Sequence, residues 1–409
     1  MANMALSASV GQIDADGVDQ AKFRTPKVNT KCHAFETLVR PALHIQGVWM
    51  HGVCYQLAVA DADMMKNTNN NIESISRCLS CAYDKFSRQL PLGLVVQLDN
   101  TWRENRNGKM VKWIVALVGL GIFRWVALCF FQVGHTHGPL DGTFGQLCVK
   151  LSYETWDDDK ECVLLLQRML ANLGVDAGSR LGALAYKLDE SADWEEFWDQ
   201  VPAQFSNLCG QDAPNYFRAC RRRDIGLLDM HSHLARDEKS CPAERSFSQN
   251  PNGEDVMLVI KPRISSMRVT QVAEALPACY LSRLLRLAQP RGLAPRRHLS
   301  AKTREHVARQ ARKLGQSRVI TRAASDYLVG WAEGTLTRNR RPEVYSFLKH
   351  RWAALAGEAA PVALPIPHEP TGLRKLQAQS CKRAKAKPSQ ATRRSRFWDW
   401  QGKFCHSPL

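Results

Sequence analysis

The sequence predicts an α/β protein in which helices flank a mixed β-sheet, followed by a mainly helical region and a basic, disordered tail. Two patterns indicate this class. Short runs rich in β-branched and aromatic residues alternate with segments whose apolar residues recur at helical spacing. Beyond residue 280 the composition shifts toward Lys, Arg, Pro and Ala. The expected regions are an α/β core (1–155), a mainly helical extension with a long loop (156–280), a basic helical region (281–360) and a basic tail (361–409).

The first part of the core is expected to contain three strands. Residues 9–15 form a strand-like run that leads into Asp-Gly, and the polar segment 24–40 has the composition of a loop. Two β-rich segments, 42–51 and 53–60, flank Gly52. Their close spacing predicts an antiparallel hairpin.

Helices and strands then alternate to the end of the core. A polar run at 67–71 can cap a helix that reaches about residue 86, and an apolar strand follows at 94–98. A helix at about 109–120 and a strand at 125–133 come next. Pro139 can occupy the first turn of another helix. Its predicted buried face contains Phe144, Leu147, Cys148 and Leu151. This order, with three antiparallel strands before the parallel ones, is the RNase H-like arrangement, in which the first and fourth strands are neighbours.

One apolar stretch, residues 111–133, is long enough to suggest a membrane span. Lys112 and Arg124 place charges in it, and Gly119 and Gly121 interrupt it. A helix followed by a buried strand explains the stretch better, and no membrane partner is expected.

The rest of the chain has weaker patterns. Residues 156–225 are expected to be mainly helical, 226–255 to form a long loop, and 256–260 to form a short strand. Residues 281–355 have the pattern of basic amphipathic helices, broken near two prolines. From residue 361 onward the composition predicts disorder.

The positive charge is concentrated at one end of the chain. The net charge is +17, yet residues 281–409 contain 27 Lys and Arg against 7 Asp and Glu. This polarity predicts an anionic partner, for which nucleic acid is the usual choice and a membrane surface or ribosome an alternative. The thirteen cysteines are scattered and the first ten residues lack a signal-peptide pattern. We therefore expect reduced thiols in a nuclear or cytosolic setting, and of these two a nuclear location.

Three aspartates fall where the predicted topology brings distant segments together. Asp16 follows the first strand, Asp99 ends the strand at 94–98, and Asp141 lies in the first turn of the following helix. Clustered carboxylates repel one another, and a divalent cation relieves that repulsion. Hard oxygen ligands suit Mg²⁺ or Mn²⁺, and two such ions can activate a nucleophile and stabilise the leaving oxygen of a phosphodiester. Each aspartate taken alone would be ordinary turn chemistry.

Four further residues are accessory candidates for this site. Asp14 shares one face of the first strand with Asp16 and is the reserve choice, and Asn100 follows Asp99. His135 and His137 also alternate and can both point toward Asp141. One of them could position a phosphate or the attacking water, or both could simply hold a turn.

The same residues carry a resemblance to a known family. Three segments resemble an uncharacterised domain family. They are the segment from Asp16 to Phe23, the Leu98-Asp99-Asn100 element with Arg103-Glu104-Asn105 and Asn107, and the Gly134-His135-Thr136-His137 element with Asp141. Its members occur in proteins of eukaryotic mobile elements and resemble transposases with an acidic (DDE/DDD) triad. The resemblance spans about residues 9–155. It implies DNA transposition chemistry, or descent from it.

Basic residues are the candidates for nucleic-acid contact. Near the triad these are Lys22, Arg103 and Lys109. In the tail they form a split cluster that also resembles a nuclear localisation signal: Lys382, Arg383, Lys385, Lys387, Arg393, Arg394 and Arg396.

The leading hypothesis is therefore a transposase-like, metal-dependent nuclease that uses Asp16, Asp99 and Asp141. The alternatives are a catalytically silent nucleic-acid-binding protein derived from a transposase, and an RNA-binding basic protein. Because the chain begins close to the first strand, we expect a truncated or domesticated copy, without a separate DNA-binding module upstream.

Overall fold

A computed structural model gives the fold of the chain. The structure describes residues 10–18, 23–29, 31–85, 88–101, 104–130, 139–172, 182–199, 214–221, 256–261, 271–276, 293–338 and 345–348.

The centre of the molecule is a five-stranded mixed sheet with the predicted strand order. Its strands are β1 (Val10–Gly17), β2 (His44–Met50), β3 (Cys54–Ala60), β4 (Gly93–Leu98) and β5 (Trp125–Phe130). They lie in the order β3-β2-β1-β4-β5. The hairpin β2–β3 and the pair β1–β2 are antiparallel, whereas β1–β4 and β4–β5 are parallel. The predicted α/β class and the neighbouring first and fourth strands are confirmed.

Four more strands extend this sheet at both edges. β6 (Ala183–Leu188) pairs in parallel with β3. On the other side β7 (Tyr216–Arg221), β8 (Val256–Lys261) and β9 (Gln271–Leu276) add antiparallel strands beyond β5. The described strands thus form one nine-stranded sheet.

Helices cover both faces of the sheet. On one face, α2 (Thr68–Lys85), α3 (Gly108–Gly119) and α6 (Trp194–Asp199) pack on alternate residues of the central strands. We call this the α3 face. On the opposite face, which we call the α4 face, α4 (Pro139–Ser152) and α5 (Asp159–Asn172) cover β2, β3 and β6. Ile13 and Ala15 of β1 point to the α3 face, so Asp14 and Asp16 point to the α4 face.

A separate helical hairpin packs beside the sheet. The short helix α1 (His33–Glu36) contributes Phe35 to a small core with α7 (Ala301–Gln316) and α8 (Arg322–Glu333). Every Lys and Arg of α7 is exposed, so its outer surface is strongly basic. None of the helices among the described residues is long and apolar enough to cross a membrane.

An ionic network joins this later part of the chain to the sheet. Lys187 of β6 lies within 2.7 Å of Asp159 and Asp189, and Arg296 lies 2.7 Å from Asp63. Asp61, just after β3, contacts both Lys187 and Arg296. The buried carboxylates of these segments are therefore neutralised by cations that come from distant positions in the chain.

The structure differs from the sequence expectations in three places. The predicted loop at 24–40 contains the short helix α1, and the region expected to be mainly helical contains β6 and β7 beside α5 and α6. β9 was not predicted at all. β6 is partly exposed, and β7 is buried although it contains Arg218 and Arg221, so neither strand has a clear apolar alternation in the sequence. The predicted strand at 256–260, the helices after 300 and the helix-strand pair at 111–133 are confirmed.

Candidate functional site

The strand register brings Asp16 and Asp99 to the same place. β1 and β4 run in parallel with Ala15 opposite Leu98, so Asp16 and Asp99 are the next residues along two neighbouring strands. Ala15 and Leu98 both point to the α3 face. Asp16 and Asp99 therefore both belong to the α4 face, at the carboxyl end of the central pair.

Helix α4 places Asp141 above this end of the sheet. Its first turn contains Asp141, and its residues Leu140 and Phe144 are buried against β2 and β3. The approach is close because β2 has Gly47 opposite Asp16. A Cβ atom at Gly47 would lie only 2.6 Å from the Phe144 ring. Glycine thus lets the helix with the third aspartate pack directly over the first.

The ionisation of Asp16 is coupled to the other two aspartates. Burial, together with the charges of Asp99 and Asp141, raises the pKa of Asp16 to about 7. The backbone N–H of Gly17, which donates to Asp16 Oδ1 at 2.7 Å, acts in the opposite direction. At neutral pH, Asp16 is therefore partly protonated, and a nearby cation would favour loss of that proton.

Asp99 is held by its own loop. Its Oδ1 accepts hydrogen bonds from the backbone N–H and hydroxyl of Thr101, at 3.0 and 2.6 Å, and from Nδ2 of Asn105 at 2.5 Å. Asn105 is buried and also accepts from Nδ2 of Asn71, in the first turn of α2. Because three donors share one oxygen, the orientation of the Asp99 carboxylate is fixed before any ligand binds.

Three further polar residues border the aspartates. Lys66 Nζ lies 3.3 Å from Glu104 Oε2. Burial, together with the charge of Asp99, raises the pKa of Glu104, while Lys66 opposes this shift. His44 is almost completely buried beside Gly17, and burial together with Lys66 lowers its pKa to about 3. The site thus contains a fourth carboxylate and one ammonium group, while the neutral imidazole of His44 lies beside Gly17 on the opposite, α3 face of the sheet.

The carboxylate groups of the site are chemically suited to bind a divalent cation, but they do not lie close enough together to form a metal site as they stand. Carboxylate oxygens are the ligands that Mg²⁺ and Mn²⁺ prefer, and a cation would relieve the cost of ionising Asp16. Within the described part of the chain, however, no three His, Cys, Asp or Glu side chains are grouped closely enough to hold one metal ion. Asp16, Asp99 and Asp141 would have to approach one another further to share a cation.

The accessory candidates have different surroundings. Asp14 Oδ2 lies 2.8 Å from His51 Nε2, and Gln12 donates to its other oxygen, so this reserve aspartate is already engaged. Asn100 has a buried Oδ1 that makes no hydrogen bond within the described residues. His135 and His137 lie outside those residues.

Few of the basic candidates can be placed. Lys109 Nζ pairs with Glu195 at 3.3 Å, in the first turn of α3. The other basic candidates lie outside the described residues: Lys22, Arg103, Lys382, Arg383, Lys385, Lys387, Arg393, Arg394 and Arg396.

One known family matches part of this fold. Residues 35–173 match a family described as Domain of unknown function (DUF7869). The matched segment includes β2 to β5 with Asp99 and Asp141, and it begins after β1 with Asp16. No curated protein and no solved structure matches the chain. The match therefore identifies an uncharacterised domain and assigns no activity to it.

Sequence reasoning missed Lys66 and Glu104 as members of the site and His44 as the residue beside Gly17. Glu104 and Asn105 belong to the family motif only, and Lys66 directly precedes the polar run at 67–71. The positions of Lys66 and Glu104 depend on how the segments before α2 and after β4 return to the same sheet edge. The polar run itself was a usable signal, because its buried Asn71 bonds to the loop that carries Asp99.

Proposed function

We propose that this chain is a transposase-like, divalent-metal-dependent phosphoryl-transfer enzyme that cleaves or joins DNA strands. Its catalytic residues in this proposal are Asp16, Asp99 and Asp141. The observation that supports this proposal is the raised pKa of Asp16, caused by burial and by the carboxylates of Asp99 and Asp141. Structural carboxylates are usually paired with cations or donors. A buried carboxylate whose ionisation is opposed by two nearby carboxylates at a sheet end, as for Asp16, is typical of a cation-binding site.

Each residue has a distinct role in this proposal. Asp16, Asp99 and Asp141 would hold one or two Mg²⁺ or Mn²⁺ ions. When bound, such ions supply an activated water or 3′-hydroxyl and neutralise the leaving oxygen. Asp99 is oriented by Thr101 and Asn105. Asn100, whose carbonyl oxygen is buried beside Asp99, is suited to supply one more neutral oxygen.

The basic helix α7 supports DNA as the substrate. Five exposed cationic side chains lie on it with one acidic residue, Glu305. Contacts of this kind bind phosphates without reading sequence, and their affinity falls steeply with salt. The cations are Lys302, Arg304, Arg309, Arg312 and Lys313.

A second candidate function is a catalytically silent nucleic-acid-binding protein. The observation in its favour is the spacing of the acidic side chains, which, among the described residues, do not lie close enough together to hold one metal ion. In that case α7 would supply the binding surface and the aspartates would be remnants of an ancestral site.

A nicking assay on supercoiled DNA with the full chain separates these functions. We expect cleavage with Mg²⁺ or Mn²⁺ and none after metal removal by EDTA. Asp99→Asn should reduce the rate by about 100-fold or more, because an ion ligand would be lost without a change in shape. The matched control is Asp84→Asn, an exposed aspartate of α2, which should leave the rate unchanged.

Two results would contradict the nuclease. Salt-sensitive DNA binding without cleavage, equal in wild type and Asp99→Asn, would establish the silent binding protein. A clear preference for structured RNA over DNA in the same binding assay would instead favour an RNA-binding protein.

A further inference from the structure

Lys66 is a cation beside the acidic site, and the proposed chemistry gives it no role. It lies between β3 and α2, and its Nζ is 3.3 Å from Glu104 Oε2. Its Cε passes 3.5 Å from the position that a Cβ atom would take on Gly17, the residue after Asp16. The side chain therefore bridges the end of β1 and the loop after β4.

The charge of Lys66 acts on the whole site rather than on one partner. It favours the ionised forms of both Asp16 and Glu104 and disfavours protonation of His44. About a third of the Lys66 side chain is exposed, whereas Glu104 is more deeply buried. A partly exposed ammonium group among carboxylates can exchange one anionic partner for another at little cost.

His44 lies on the α3 face of β2 beside the same glycine as Lys66, and it gives an independent indication that a polar ligand binds next to Lys66. The residue is 1% exposed, and neither ring nitrogen makes a hydrogen bond within the described part of the chain. Gln46 approaches the ring without reaching hydrogen-bond geometry. Its Cε1 lies 2.8 Å from the Cβ position of Gly17, next to Lys66. Buried polar atoms of this kind normally have partners.

We propose that Lys66 is the phosphate-binding residue of the site, held by Glu104 until a nucleic-acid phosphate arrives. This inference rests on the proposed function. A divalent cation at Asp16 and Asp99 would repel the ammonium group and weaken its pairing with Glu104, so Lys66 and the cation compete electrostatically at this end of the sheet. A phosphodiester oxygen brought in by the substrate is then the nearest new anion, and an ammonium group binds phosphate as a point charge with three donors.

Mn²⁺ titration of the full chain without DNA tests the competition. Lys66→Met should bind Mn²⁺ about threefold to tenfold more tightly, because a positive charge near the ion is removed. Lys66→Arg should bind it as the wild type does. The matched control is Lys150→Met, an exposed lysine at the far end of α4, which should leave the affinity unchanged.

DNA cleavage at saturating Mn²⁺ tests the phosphate contact. Lys66→Met should cleave about 10- to 100-fold more slowly, because a donor to the reacting phosphate is lost. Lys66→Arg should recover most of the rate. Tighter metal binding together with slower cleavage is diagnostic, since a lysine that only supports the fold would weaken both.

The failures of the two proposals are distinguishable. Equal or weaker Mn²⁺ binding by Lys66→Met overturns the role of Lys66. A wild-type cleavage rate of Lys66→Met, with Asp99→Asn inactive, also overturns the role of Lys66. In that case the proposed function still stands. A wild-type chain that neither binds Mn²⁺ nor cleaves DNA overturns the proposed function itself.

Discussion

At the scale of single residues, the ionisation of Asp16 links stability to function. The pKa of this carboxyl is about 7 in the folded protein and 3.8 when unperturbed. Between these values the folded protein keeps a proton that the unfolded chain has released. The free energy of unfolding therefore falls as the pH rises from about 4 to 7, and the loss is complete above pH 7.

Asp16→Asn should remove this loss, because an amide cannot ionise. At pH 8 we expect the variant to be more stable than the wild type by about 1–3 kcal/mol, allowing for partial solvent screening. The difference should shrink steadily toward pH 4. Urea unfolding at pH 4, 6 and 8 measures it, with Asp84→Asn as the exposed control. A less stable Asp16→Asn protein at pH 8 would show that the ionised form is favoured by the fold.

The sequence predicted the strand-end aspartates but not their polar neighbours. Asp16 and Asp99 stand beside apolar runs that define their strands, so their positions follow from the topology. Lys66 and His44 have no such marker. A lysine before a helix and a histidine in a strand are common, and only the packed structure shows that both lie next to Gly17.

At the scale of elements, the contact between α4 and β2 controls where Asp141 lies. Gly47→Ala should destabilise the protein by about 1–3 kcal/mol, because the new methyl group would overlap the Phe144 ring. The helix must then move outward with Asp141, so the variant should also bind Mn²⁺ more weakly. Chemical denaturation and metal titration measure the two effects.

A second glycine provides the control for this prediction. Gly145 lies on α4 itself, and a Cβ atom there meets no described atom within 4 Å. Gly145→Ala should raise stability by about 0.5–1 kcal/mol through helix propensity and leave Mn²⁺ affinity unchanged. If Gly47→Ala behaved in the same way, α4 would not be closely seated on the sheet.

Elements of the core were predictable because each has one buried face with a regular period. α3 illustrates this well: Asn107 caps its first turn, and its apolar residues were already distinguishable from a membrane span. β6 and β7 were not predictable. Each contains charged residues whose partners, such as Asp61 for Lys187, come from elsewhere in the chain, so their alternation is lost in the sequence.

At the scale of the whole molecule, the ionic network around Lys187 joins β6 to the segments before α2 and before α7. Burial raises the pKa of Asp61 to about 6 although Lys187 opposes the shift. Asp61 is therefore costly to ionise, and the charge of Lys187 favours its ionised form. Arg296 and Asp61 of this network are 235 positions apart, which explains why no local pattern predicted their contact.

Lys187→Met should destabilise the protein by about 3–5 kcal/mol, because it leaves the buried carboxylates of Asp159 and Asp189 without their cation. The control is Arg322→Met, which breaks an exposed pair with Asp326 and should change stability by less than about 0.5 kcal/mol. Thermal or urea unfolding compares them. Equal effects would mean that the buried network contributes no more than a surface pair.

The central position of β1 sets a minimum length for any fragment that is to fold. β1 lies between β2 and β4, although it is one of the first segments of the chain. A polypeptide cut to residues 35–173, the span of the family match, would lose its middle strand and leave two unpaired strand edges that invite aggregation. Truncated versions for expression, and comparisons with related chains, should therefore start ahead of residue 10.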